Sequence, residues 1–206
     1  ILAAGAGSRM KSNQAKVLQR IGGMSMLQRV LQTTRKLNSK STVVLGHDKE
    51  GVLRHLQDIE GNISTVIQAN QLGTADAVKS ALHNTTSDET ILVLYGDVPL
   101  VSEKSLQELI DKSENGFSIL TTHLDDPFGY GRVITDTNNF ATAIVEEKDA
   151  SDDEKLINEI FTGILCINQK LLAAGLQEIT NNNAAKEFYL TDLVKIISAK
   201  GIKIIP

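Results

Sequence analysis

Apolar positions in this chain fall into two kinds of run. Some are short, continuous or β-branched, and end in glycine or a polar residue; others repeat every three to four positions. Residues 1–4 are apolar and lead into Gly5 and Gly7, the pattern of a buried strand feeding a turn. Leu27, Val30, Leu31, Thr34 and Leu37 share one face of a helix over 26–37, with Ser25 as its N-cap. Residues 42–46 and 63–68 read as strands, and 49–57 as a helix with Val52, Leu53 and Leu56 on one side. Thr74 is placed to cap a helix running to Leu82. Residues 91–95 are continuously apolar, which predicts a central parallel strand covered on both faces. Ser102 then caps a helix containing Leu106, Leu109 and Ile110.

The second half continues with a strand over 117–124 and a hairpin of 130–135 with 141–146 around Asp136-Thr137-Asn138-Asn139. An acidic run at 149–154 reads as a solvated loop or helix start. A strand over 160–167, a helix over 170–179, a helix over 192–199 capped by Thr191 and a last strand over 202–205 complete the chain. Strand, loop and helix alternate, which predicts an α/β fold of Rossmann-like type, with a mixed, mostly parallel sheet flanked by helices. In such sheets ligands bind outside the carboxyl ends of the strands. The turn at Gly5, the segment after Gln68, and Asp97 all follow strands, so they are expected on one edge.

Composition narrows the classes. The 206 residues are 41% hydrophobic with a net charge of −4, enough for one sizeable domain and acidic enough to argue against a nucleic-acid surface. One cysteine, Cys166, cannot form an internal disulfide, so a reducing, cytoplasmic setting is expected, with the thiol as buried filler in a strand. No apolar run approaches the ~18 residues of a membrane span. The chain lacks a starting Met and begins and ends in apolar stretches, which leads us to expect a fragment.

On that acidic background the cations Arg9 and Lys16, just after the glycine turn, stand out as phosphate contacts. The turn fits neither the dinucleotide fingerprint nor the ATP-type P-loop, because Met10 stands where each needs glycine. Asp97, at the end of a buried strand after Gly96, is the candidate Mg²⁺ ligand, since this ion takes one or two carboxylates plus substrate phosphates. The competing explanation is a turn or N-cap aspartate before Pro99. Gln68 is suited to reading a base edge, and Gly73-Thr74 to holding a ligand at a helix start; a surface glutamine and a routine cap compete with these. Asp126–Arg132 is a glycine-rich turn, and Glu146-Glu147-Lys148 a charged strand end. The four histidines show no metal spacing, and no hydrolase signature stands out.

These pieces follow a familiar order. Leu2-Ala3-Ala4-Gly5-Ala6-Gly7-Ser8-Arg9-Met10, Lys16-Val17-Leu18, Gln71-Leu72-Gly73-Thr74, Tyr95-Gly96-Asp97-Val98-Pro99, Gly129-Tyr130-Gly131-Arg132, Val145-Glu146 and Thr162-Gly163-Ile164 are similar to one set of signatures. The chain resembles, over essentially its whole length, the N-terminal pyrophosphorylase domain of the bifunctional bacterial GlmU family. That resemblance implies a single nucleotidyltransferase domain over 1–206, of the nucleotide-diphospho-sugar transferase type, with a nucleotide-binding half (1–115) and a sugar-binding half (116–206). It implies that UTP and N-acetylglucosamine 1-phosphate give UDP-N-acetylglucosamine and pyrophosphate with Mg²⁺, for cell-wall precursors. By the same resemblance Leu2, Ala3, Ala4, Gly5, Gln68, Gly73 and Thr74 hold the uridine part, and Arg9 and Lys16 hold phosphates. Tyr95, Gly96, Gly131 and Glu146 line the sugar-nucleotide site, and Asp97 binds Mg²⁺. A C-terminal left-handed β-helix acetyltransferase domain, through which such proteins form homotrimers, is absent from this chain.

Three positions depart from the family pattern. Ala15 stands where proline precedes the lysine, which is expected to leave the loop less rigid. Asp76 replaces a histidine and places a negative charge near the nucleotide pocket. Phe161 replaces an asparagine that contacts the sugar, and Phe cannot make that hydrogen bond. Two alternatives stay open on the sequence: transfer to a different sugar phosphate or from a different base, and a weakly active fragment that binds nucleotide.

Overall fold

The computed structural model describes residues 1–5, 7, 14–86 and 88–206, residue 115 by its backbone alone. Arg9 therefore lies outside the described residues. The chain divides into two compact units: Ile1–Leu72 with Asp76–Asn84 and Leu94–Gln107, and Gly73–Ala75 with Thr85–Val93 and Glu108–Pro206.

The first unit opens with β1 (Leu2–Ala3), then a small antiparallel ribbon of β2 (Arg20–Ile21) and β3 (Met24–Ser25). Helix α1 (Met26–Lys36) follows, and Ser25 Oγ accepts from Gln28 N at 3.0 Å, the cap that the sequence predicts. Next come β4 (Ser41–Leu45), α2 (Lys49–Gln57), β5 (Ile63–Ile67) and α3 (Thr74–Ala81). β4 pairs in parallel with both β1 and β5. Leu2 N donates to Leu94 O at 2.8 Å and Gly96 N donates to Leu2 O at 2.9 Å, which lays the Tyr95 segment parallel to β1 on its other side. Alternation along β4 then sorts the core. Val43 and Leu45 turn to Leu27, Leu31, Val52 and Leu56 of α1 and α2, while Val44 joins Ala4 with Ala77 of α3. Helices therefore cover both faces of this parallel sheet, as continuous apolar strands require.

The second unit holds β6 (Thr90–Val93), the end of α4 (Glu103–Lys112), β7 (Phe117–His123), β8 (Arg132–Thr135), β9 (Ala141–Val145), α5 (Asp152–Lys155), β10 (Glu159–Asn168), α6 (Gln169–Leu176) and α7 (Asp192–Ser198). The ten-residue β10 is its centre, antiparallel to β6, β7 and β8, with β9 continuing beyond β8. The run expected to be a central parallel strand is thus antiparallel over β6 and parallel only where Tyr95 bridges Leu2. An apolar run reports that both faces are covered and carries no direction. The α/β architecture holds, but the mostly parallel sheet expected from the sequence is a parallel sheet of β1, β4 and β5 in the first unit and an antiparallel one around β10 in the second, since an alternation of strands and helices does not fix which strand pairs with which. The last strand expected over 202–205 is reduced to a bridge, Ile205 to Ser118. Cys166 is fully buried, and burial pushes its thiol up. No helix among the described residues is long and apolar enough to cross a membrane.

Candidate active site

In the first unit, parallel pairing brings the strand ends into line. Ala4-Gly5 leaves β1, Gln68 leaves β5, and Gly96-Asp97 leaves the Tyr95 segment, all at the carboxyl edge expected to gather ligands. Lys16 opens a short 3₁₀ turn (Lys16–Leu18), and its Nζ lies 2.7 Å from Asp97 Oδ2. The two residues are 81 positions apart, so sequence spacing gave no sign of the pair. Gly7 has φ +56°, and a Cβ there would come within 2.9 Å of Lys16 Cβ, so this turn passes closely over the lysine stem.

The departures at 15 and 76 take on roles. Ala15 is fully buried, and its N–H donates to Asp48 Oδ2 at 3.0 Å. The residue expected to loosen the loop is thus pinned by a bond that proline could not make. Asp76 Oδ2 accepts from Gln68 Nε2 at 2.7 Å. A carboxylate only accepts, so it fixes which end of the Gln68 amide faces it. Gln68 is 5% exposed, a buried group and not the surface glutamine of the competing explanation.

In the second unit, Thr74 Oγ1 accepts from Leu190 N at 2.9 Å, and Ala75 N donates to Phe188 O at 2.9 Å. The Thr74 hydroxyl thus anchors a distant segment where a local cap was expected. Gly73, at φ +129°, has no room for a Cβ, which would lie 2.5 Å from Phe188 O. Thr191, also expected to cap, donates its hydroxyl to Glu146 Oε1 at 2.9 Å, and α7 has no side-chain cap. Burial pushes the Glu146 carboxyl above its ordinary value, with Asp192, Asp149 and Glu187 adding repulsion against the Thr191 bond. Tyr189 is pushed up to about 12 by burial and the same acidic surroundings. Gly131 O accepts from Phe161 N at 2.9 Å, so Phe161 adjoins the Gly131 segment through the backbone. Its ring, however, is buried, the residue being 6% exposed. The buried Arg132 reaches Glu147 Oε2 at 2.7 Å, and the same oxygen accepts from Gly129 N at 3.1 Å. This pair stiffens the glycine-rich turn and holds the Glu147 carboxyl below its usual range. Asp48 was not singled out by sequence, and Arg132 and Thr191 were marked only as part of a turn and as a helix cap, because each acts through a partner distant along the chain.

For a metal, the described residues offer no cluster of three or more His, Cys, Asp or Glu side chains. Asp97 alone, with its side chain 27% exposed, suits an ion that arrives with phosphates and keeps its waters.

The MobA-like NTP transferase domain matches residues 1–188. The chain is 46% identical over 207 residues to the Bifunctional protein GlmU of Neisseria meningitidis serogroup B, covering all of this chain and 45% of that protein. It is 42% identical to that of Cellvibrio japonicus, covering 99% of this chain and again 45% of the relative. The chain thus spans less than half the length of these curated relatives. Among solved structures, a UDP-glucose pyrophosphorylase complexed with UDP-glucose superposes with TM-score 0.79 at 16% identity, over 98% of this chain and 86% of that one. A putative glucose-1-phosphate thymidylyltransferase from Bacillus anthracis gives 0.76 at 19%, over 99% and 83%. At these identities the two structures speak to the fold, which is that of the nucleotide-diphospho-sugar transferases. A glycine turn, a lysine held by the aspartate of a neighbouring strand end and a parallel sheet covered by helices thus accord with the sequence match: the chain belongs to the MobA-like NTP transferase domain family.

Proposed function

We propose that this chain transfers uridylyl from UTP to N-acetylglucosamine 1-phosphate, giving UDP-N-acetylglucosamine and pyrophosphate. The observation that carries the reading is the Lys16–Asp97 pair at the carboxyl edge of the parallel strands, in a chain 46% identical along its full length to GlmU. A phosphate oxygen of the sugar phosphate attacks the α-phosphorus of UTP, a new P–O bond forms, and the bond to the β-phosphate breaks to release pyrophosphate. The attacking oxygen is already anionic near pH 7, so no strong base is needed. The barrier is repulsion between two polyanions and charge developing on the transferred group. Lys16 carries three donors: Asp97 takes one and aims the ammonium, leaving the others for phosphate oxygens. Arg9 adds a planar fork for the same charge. In the first unit Leu2, Ala3, Ala4, Gly5 and Gln68 are assigned to the uridine and Tyr95 and Gly96 to the sugar nucleotide; in the second, Gly73 and Thr74 are assigned to the uridine and Gly131 and Glu146 to the sugar nucleotide. Asp97 would hold Mg²⁺, which when bound neutralises phosphate charge. The setting is the cytoplasm.

The test is pyrophosphate release with UTP, Mg²⁺ and N-acetylglucosamine 1-phosphate, run beside glucosamine 1-phosphate, glucose 1-phosphate and CTP. Release restricted to the first pair supports the reading. Release with another sugar or base in preference to it overturns the substrate assignment.

A further inference from the structure

We propose that Asp48 is a positioning residue for Lys16, acting through the backbone N–H of Ala15; the proposal rests on the phosphate-holding role of Lys16 given above. Asp48 lies just beyond β4 at φ +51°, and its two carboxylate oxygens serve two different backbone donors. Oδ1 accepts from Gly51 N at 3.2 Å and caps α2. Oδ2 accepts from Ala15 N at 3.0 Å, across 33 positions of sequence. Ala15 is 0% exposed, so water cannot satisfy its N–H and the carboxylate does. On the other side of the residue, Ala15 O accepts from Leu18 N at 3.0 Å. Ala15 is therefore held at both its polar groups, and the direction in which the Lys16 stem leaves the backbone is fixed. A lysine is a point charge on a flexible stem, and rooting the stem removes conformations that phosphate binding would otherwise have to freeze. Gly7 against Lys16 Cβ and Asp97 on Nζ restrict the rest of the side chain.

Division of work between the two oxygens makes the tether separable from the helix cap. Asparagine tolerates positive φ and keeps one acceptor for Gly51 N, so α2 stays capped. Its amide nitrogen is a donor and cannot accept from Ala15. Ala15 has φ −53° and ψ 135°, within reach of proline, which has no N–H and fixes φ by its ring. The experiment compares Asp48→Asn in the parent chain and in the Ala15→Pro background, by steady-state kinetics with UTP, thermal melting and amide hydrogen exchange. In the parent, Asp48→Asn lowers kcat/KM for UTP by about 10-fold. It also speeds exchange at Ala15 and leaves the melting temperature near that of the parent. In the Ala15→Pro background the same substitution costs less than about 2-fold, because the bond is already gone. An equal loss in both backgrounds, no loss in the parent, or an Ala15 amide still as protected in Asp48→Asn overturns the proposal. Lys16→Ala alongside separates the two claims. Unchanged turnover in that variant would sink the phosphate role, while the exchange measurement still judges the Asp48–Ala15 bond.

Discussion

Phe161 stands where the resemblance led us to expect a sugar-contacting asparagine, and its burial in the structure points to packing. It is 6% exposed on the central strand β10, and its backbone N–H is bound to Gly131 O. Phe161→Asn should therefore act first on stability. Removing a buried phenyl costs about 3–5 kcal/mol in lost transfer and residual cavity. An amide left there without partners forfeits its hydration, a further cost of about 1–3 kcal/mol, offset in part by the volume it fills. Taking about 3–5 kcal/mol as the net and about 2–4 °C per kcal/mol for a chain of this size, the melting midpoint should fall by roughly 6–20 °C. Differential scanning calorimetry on parent and variant reads this directly. Below the variant's transition, its preference for N-acetylglucosamine 1-phosphate over glucose 1-phosphate should stay within about 3-fold of the parent's, on the order of a fraction of a kcal/mol. A melting point within about 2 °C of the parent, together with a 10-fold gain in sugar selectivity, would show that the ring faces the sugar and would refute the packing argument.

Other expectations follow from the same geometry. Lys16→Ala should lower kcat by about 10² or more, since it removes a preorganised donor to the transferred phosphates, and Asp97→Asn should raise the Mg²⁺ concentration for half-maximal rate; initial rates across a metal titration check both. Glu146 should make stability depend on pH. Its folded value is raised above an ordinary 4.5, so the native state binds the proton more tightly, and its favourable contribution is full below that ordinary value and lost as pH rises through the raised one. Glu146→Gln should hence melt higher than the parent at pH 7, with the gap closing toward pH ~4.5, and a gap that widens on acidification would contradict the burial argument. Gly73→Ala, at φ +129° and against the Phe188 backbone, should destabilise by at least about 1–3 kcal/mol, read as a lower denaturation midpoint. The native Cys166 thiol should resist a water-soluble disulfide reagent until the protein is unfolded, since the residue is 0% exposed.

Local signals in the sequence were legible and distant ones were not. Ser25 and Ser102 cap the helices they precede because capping needs only a donor three residues on. Thr74 and Thr191 look equivalent in sequence, yet their hydroxyls bond across 116 and 45 positions. Apolar runs located β4, β5, β7 and β10 to within a residue or two, while the direction of β6 depended on β10, which lies far along the chain. At the candidate site, the glycine turn, Lys16 and Asp97 could be marked one by one. That Lys16 meets Asp97, that Asp76 orients Gln68, and that Asp48 secures Ala15 are tertiary facts with no local pattern to announce them.

The place of β10 in its sheet also sets a timetable for synthesis. β6, β7 and β8 each take β10 as a partner, yet β10 is made after every other strand among the described residues. At about 5–20 residues per second, β6 waits several seconds on the ribosome before its partner emerges. During that interval its backbone edges and apolar side chains have no sheet to join, the condition under which nascent chains aggregate or engage chaperones. Folding of the second unit in this sense waits on one segment, and a nascent chain halted before residue 159 would be expected to stay bound to chaperones.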